Sequence, residues 1–133
     1  MINNDAKMGV NRYLKIRRYN VRYQLLANSS RGDGFYDVTI SDNSGNLEIE
    51  CTCMAGEMGT MCKHRIAVIT GKYGNIIDID DPENADAKLA TDLIAKYGIT
   101  EQYLALAKEL EDLKKRFKVE EKAIKLRINA LAG

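Results

Sequence analysis

The chain has 133 residues, 45% of them hydrophobic and 29% charged, with a formal net charge of +1. That balance fits one soluble globular domain, or a small domain with an extension, and no apolar run is long enough for a membrane-spanning helix. A total so close to neutral argues neither for nor against nucleic acid, yet the charge is segregated: residues 1–31 carry +6, 32–61 carry −6, 62–76 carry +3, 77–101 carry −5 and 102–133 carry +3.

Residues 1–18 form a basic N-terminal arm. Its opening Met1-Ile2-Asn3-Asn4-Asp5 lacks the apolar core of a secretory signal. The expectation is therefore a cytoplasmic, reducing location, where cysteines stay as thiols. From Tyr19 the pattern has period two. Tyr19, Val21, Tyr23 and Leu25 alternate with Arg18, Asn20, Arg22 and Gln24, which predicts a strand with one apolar and one basic-polar face. A turn follows at 28–34. Tyr36, Val38 and Ile40 predict a second strand, and Leu47, Ile49 and Cys51 a third after the turn at 41–46.

Cys51-Thr52-Cys53 and Cys62-Lys63-His64 then bring together all three cysteines and the one histidine of the chain. In an extended strand, residues two apart share a face, so Cys51 and Cys53 point the same way. Gly56 and Gly59 permit the spacer to return sharply. Three thiolates and one imidazole complete a tetrahedral shell for a single Zn²⁺ and leave no position for water, which makes the site structural. Three rivals fit less well. Core residues with no metal role would not gather into two like-spaced pairs. A disulfide leaves one cysteine over, and C-x-C is cramped for a bridge. A Cys-His nucleophile lacks a third group to orient the base, and residues two apart on a helix face different ways. The metal cluster would carry −1, and Lys63 and Arg65 can offset it.

Cys51-Thr52-Cys53 … Gly59-Thr60-Met61-Cys62-Lys63-His64-Arg65-Ile66-Ala67-Val68 resembles the SWIM zinc finger, whose pattern is C-x-C, a variable spacer and C-x-H, followed by a short apolar helix. The resemblance runs from about Tyr19 to Tyr73 and defines a zinc-binding domain at 19–74. Two details depart from the family: no aromatic residue follows the second cysteine, and Met61 stands where proline is frequent. SWIM modules are linked to DNA binding and to protein–protein contacts, and the resemblance implies one of these two roles.

Past the metal motif, Ile66, Ile69, Thr70 and Tyr73 have helical spacing and would lie back on the sheet, with Gly74 ending the helix. Residues 75–85 read as an acidic linker and 86–133 as a helical region. Pro82, the only proline, marks the start of a helix from Glu83 or Asp86 to Tyr97, with Leu89, Leu93, Ile94 and Tyr97 as its buried stripe. Thr100 is a good N-cap for a last helix from Glu101 to about Leu131, roughly 45 Å long. Tyr103, Leu106, Leu110, Leu113 and Phe117 fit an a/d heptad. Ile124 and Leu131 continue the a positions, but Glu120 and Arg127 fall at d. Three uses stay open: packing on a neighbouring helix, homo-oligomerisation through 101–131 as a coiled coil, or docking on another protein.

The fold class expected is α+β: a small zinc-stapled hairpin or meander with one helix, then two helices, the second long. Two functions are consistent with these features. The first is a nucleic-acid-binding accessory or regulatory protein, DNA foremost, with Arg17, Arg18, Arg22, Arg31, Lys63, Arg65 and Lys72 as contacts and Lys114, Lys115, Arg116 and Lys118 as a second patch. The second is a protein-interaction adaptor that self-associates or recruits a partner through its last helix. An enzyme is not expected, and no small-molecule substrate either: there is no phosphate-binding glycine loop, no H-E-x-x-H and no second histidine.

Overall fold

The computed structural model describes residues 20–133. The basic arm, with Arg17 and Arg18, and Tyr19 of the first strand lie outside the described residues. The fold is α+β, and it divides into two compact units that meet in sequence between Ile99 and Thr100.

The first unit is built on a three-stranded antiparallel meander, β1 (Asn20–Asn28), β2 (Phe35–Asn43) and β3 (Asn46–Cys51), in the order β1-β2-β3. The expected alternation sets the register. Leu25 pairs with Val38 and Val38 with Cys51; Tyr23 pairs with Ile40 and Ile40 with Ile49. These rows make one apolar face. Leu25, Ala27, Val38 and Ile40 on it are fully buried, and Cys51 ends a core row. The metal ligands therefore grow directly out of the hydrophobic core. Opposite lies a polar face with the rows Arg22–Ser41–Glu48 and Gln24–Thr39–Glu50.

Three helices complete this unit: α1 (Met54–Glu57), α2 (Lys63–Thr70) and α3 (Ala87–Lys96). The spacer expected as a loop contains α1. The helix after His64 ends at Thr70, earlier than expected, because Gly71 takes a left-handed cap (φ 74°) and its N–H closes on the Ala67 carbonyl. Tyr73 thus lies beyond the helix and is used differently: its hydroxyl meets Thr91 Oγ1 at 2.7 Å, and Thr91 donates to the Val68 carbonyl at 2.7 Å. This relay ties α3 to α2. Their close approach relies on small residues, since Ala67, Ala87 and Ala90 are buried while Leu89 is 54% exposed. The expected stripe of α3 holds at Ile94, which is buried, and at Leu93 and Tyr97, which are half-buried; it is corrected at Leu89, which faces water, while Ala87 and Ala90 are buried beside Ile94. Pro82 opens a short 3-10 turn (Pro82–Asn84) capped by Asp81, and α3 starts only at Ala87.

The acidic stretch between α2 and α3 is tied to the open edge of β1. Asn28 N–H donates to the Ile76 carbonyl at 2.8 Å, and the Leu26 N–H donates to Asn84 Oδ1 at 2.7 Å. Asn84 Nδ2 returns to the carbonyls of Leu26 (3.1 Å) and Asp78 (3.0 Å). Asn84 is buried, and Ile77 beside it is wholly so. A side-chain amide here takes the place of a fourth strand and satisfies an exposed sheet edge.

The second unit is a helix, α4 (Ile99–Ala130), of 32 residues without a break. Thr100 is inside it rather than at its N-cap, because the helix begins at Ile99, two residues before Glu101. No residue of α4 is buried. Among the described residues, no helix is long and apolar enough to cross a membrane.

Candidate metal centre

Cys51, Cys53, Cys62 and His64 converge, all buried, with their ligand atoms within 4.8 Å of one another. Cys51 is delivered by the end of β3. Thr52 fixes the next step of the chain. Its N–H donates to the Asp37 carbonyl (3.1 Å) and its Oγ1 accepts from the Asp37 N–H (3.0 Å), so the ladder holds one residue beyond the strand. Cys53 then returns to the inner face, as strand alternation requires.

Cys53 and Cys62 do a second job. Each is the N-cap of a helix. Cys53 Sγ accepts from the Gly56 N–H at 3.3 Å at the start of α1, and Cys62 Sγ accepts from the Arg65 N–H at 3.4 Å at the start of α2. A sulfur here takes the place of the usual serine or aspartate oxygen. Backbone N–H donors also favour the thiolate over the thiol. Burial pushes the Cys62 thiol up, but the Arg65 backbone and side chain, with the Cys53 and Cys51 sulfurs, outweigh it and lower its pKa. Cys51 has no comparable set of donors. Burial, the largest influence, drives its thiol from 9.0 up to about 12. A cation must displace that proton to bind.

His64 presents Nδ1 to the cluster, 3.6 Å from Cys51 Sγ. Ligands at Zn–S of about 2.3 Å and Zn–N of about 2.05 Å, held at the tetrahedral angle, also lie about 3.6 Å apart. The pair is thus spaced as one edge of a zinc tetrahedron. Burial first, and then the Lys63 charge, lower the imidazole pKa, against a weaker opposing pull from the Asn28 backbone. The ring is kept neutral, which is the ligating form. Tyr36 packs against it with ring centroids 5.2 Å apart and planes tilted by 49°. Among the described residues, Nε2 is buried and none lies within hydrogen-bonding geometry of it. Donor type, burial, spacing and a closed shell all fit one structural Zn²⁺.

Two further residues hold the frame. A Cβ on Gly56 would run into the Cys51 backbone, 2.9 Å from its carbonyl carbon. Gly56 is therefore needed for close approach, whereas Gly59 (φ 78°) is the residue that turns the spacer. Arg65 sends its guanidinium to the carbonyls of Ile49 (3.3 Å) and Thr60. It laces α2 to β3 and to the spacer, with both ends on carbonyl oxygens. Sequence reasoning had no signal for the Gly56 contact or this lacing; the Cys-x-x-N–H capping spacing was legible in principle.

The other described candidates for nucleic-acid contact lie on separate elements. Arg22 is exposed on the polar sheet face, in a row that ends at Glu48. Arg31 is exposed in the β1–β2 turn, Lys63 at the start of α2 and Lys72 just past its end. A cleft of about 380 Å³ beside the metal centre is lined by Asp37, Glu50 and Glu57, with Arg65 its one cation among the described residues.

Residues 36–70 match the family model of the SWIM zinc finger. The match spans β2, β3, both cysteine helices and all four ligands. Comparison with curated proteins and with solved structures gives no match.

Proposed function

We propose that this SWIM-type zinc unit belongs to a non-enzymatic protein-interaction adaptor, acting in a reducing intracellular compartment and engaging its partner through α4. The observation that carries the reading is the surface of that helix. Leu106, Leu110, Leu113, Phe117, Ile124 and Ile128 are each more than half exposed. An apolar stripe of that length on a helix in water marks a docking face. The zinc ion supports the reading indirectly. It stabilises a sheet too small to stand on its own core, so the first unit can be rigid without being large.

DNA binding is the second reading. It draws on the exposed Arg22, Arg31, Lys63 and Lys72, and on Lys114, Lys115, Arg116 and Lys118 of α4. The carboxylates beside Arg22 and in the cleft weigh against it, since they repel phosphate. A pull-down with and without nuclease, using the native chain and a Leu113→Asp/Phe117→Asp variant, separates the two. The adaptor reading expects captured protein to survive nuclease and to be lost with the variant. Capture that disappears with nuclease and ignores the variant overturns it in favour of nucleic acid. Retention on a DNA column that falls steeply with salt points to nucleic acid as well.

A further inference from the structure

Resting on the adaptor reading, we infer that the occupant of the α4 face is a second copy of α4, packed antiparallel, with the two-fold axis passing at Phe117. The apolar seam reads Tyr103, Leu106, Leu110, Leu113, Phe117, then position 121, Ile124, Ile128 and Leu131. Its spacing is three, four, three, four up to Phe117 and four, three, four, three after it. The stripe is a palindrome about Phe117. At 100° per residue all nine positions fall within an arc of about 80°, while Glu120 and Arg127 fall outside it. An unbroken heptad would put those two residues on the seam. The step of four after Phe117 is a stutter, and it returns the stripe to the same side of the helix.

The stripe has a second regularity. Leu106 and Ile124, Leu110 and Ile128, and Leu113 and Leu131 are each eighteen residues apart, which is five turns at 3.6 residues per turn. Such a stripe runs along a straight helix instead of winding round it. Two straight copies can therefore stay in contact from Tyr103 to Leu131, about 42 Å.

The one polar member of the seam, Glu121, sets the direction. In a parallel, in-register pair it would meet the partner's Glu121, and the basic run Lys114–Arg116 would face its own image. Turned end for end about Phe117, Leu106 meets the partner's Ile128, Leu110 meets the partner's Ile124, and Leu113 meets the partner's Glu121. On one flank Lys114 comes beside the partner's Glu121. On the other, Arg116 comes beside the partner's Glu120 and Glu109 beside the partner's Arg127. The two-fold doubles each of these opposite-charge meetings. Like charges meet twice at the axis, Lys118 with the partner's Lys118 on one flank and Arg116 with the partner's Arg116 on the other, both outside the seam.

The test uses the full, zinc-loaded chain, whose own thiols are engaged by the metal. Leu110→Cys and Ile124→Cys variants are made separately, mixed and oxidised. A mixed 110–124 disulfide, with little self-linking of either variant alone, is the expected result, and sedimentation gives twice the chain mass of 14.9 kDa. Glu121→Lys weakens dimerisation by roughly tenfold, and adding Lys114→Glu restores it. Efficient self-linking of either variant overturns the antiparallel pair. A monomer at every soluble concentration overturns the second copy as occupant. If that monomer still captures a protein through Leu113 and Phe117, the adaptor reading stands alone; if capture ignores those residues, both fall.

Discussion

Gly56→Ala is the sharpest test of how the centre is built. Gly56 lies in α1 with a φ outside the left-handed region. On helix propensity alone, alanine should stabilise by about 1 kcal/mol. Packing reverses the sign. The added carbon would sit 2.9 Å from the Cys51 carbonyl carbon and 3.0 Å from the Cys51 Cβ, with the carbonyl oxygen nearer still. Backbone presses on backbone, so no rotamer change relieves it, and overpacking of this kind costs about 3 kcal/mol at the upper end. Moving α1 away also breaks the Gly56 N–H bond to Cys53 Sγ, a cap that contributes about 1 kcal/mol. The net loss is about 2 to 3 kcal/mol, equivalent to a roughly 30- to 150-fold weaker hold on zinc. Competition against a chromophoric zinc chelator reads the affinity, and a melt followed by circular dichroism reads the stability. Affinity and melting temperature equal to or above those of the native chain would refute the contact, and with it the placement of α1 against β3.

Other consequences can be checked the same way. Cys62→Ser removes a ligand and replaces the sulfur cap of α2; the chain should lose zinc and the cooperative melt of its first unit while keeping part of its helical signal, because α4 with 32 residues is long enough to retain helix alone. Full zinc content and an unchanged melt in that variant would end the site assignment. Zinc uptake near neutral pH should release at least one proton, from the Cys51 thiol that burial holds up to about 12, so affinity rises with pH by about tenfold per unit for each proton displaced. His64 adds none, since burial already keeps its ring neutral; calorimetric heats that do not depend on the buffer's ionisation enthalpy would contradict this. Asn84→Ala strips three hydrogen bonds from a buried amide and leaves the Leu26 N–H without its acceptor, at a cost of about 2 to 4 kcal/mol. A melting temperature within a degree or two of the native value would show that the β1 edge is held by something else.

What the sequence reveals depends on how local the cause is. Strand alternation sets Leu25, Val38 and Cys51 on one face, and a period of two is visible in any short window. The ligand set is legible for the same reason: its spacing is compact and its residue types are scarce in this chain. Asn84 is not legible, because its partners on Leu26 lie 58 residues away and nothing near Pro82 marks it as more than a turn residue. The buried face of α3 misled because hydrophobicity ranks Leu89 above Ala87 and Ala90, whereas the short distance to α2 selects for small side chains. The end of α2 at Gly71 instead of Gly74 was a choice between two glycines that only the Ala67 carbonyl decides.

The double duty of Cys53 and Cys62 bears on how the protein comes apart. An oxidant that turns either sulfur into a sulfenic acid consumes a metal donor at the very atom that caps a helix. Loss of the ion there is expected to loosen the first turn of that helix as well. The fate of the ion and the start of a helix are thus coupled through one sulfur, and reduction of the sulfenic acid restores both.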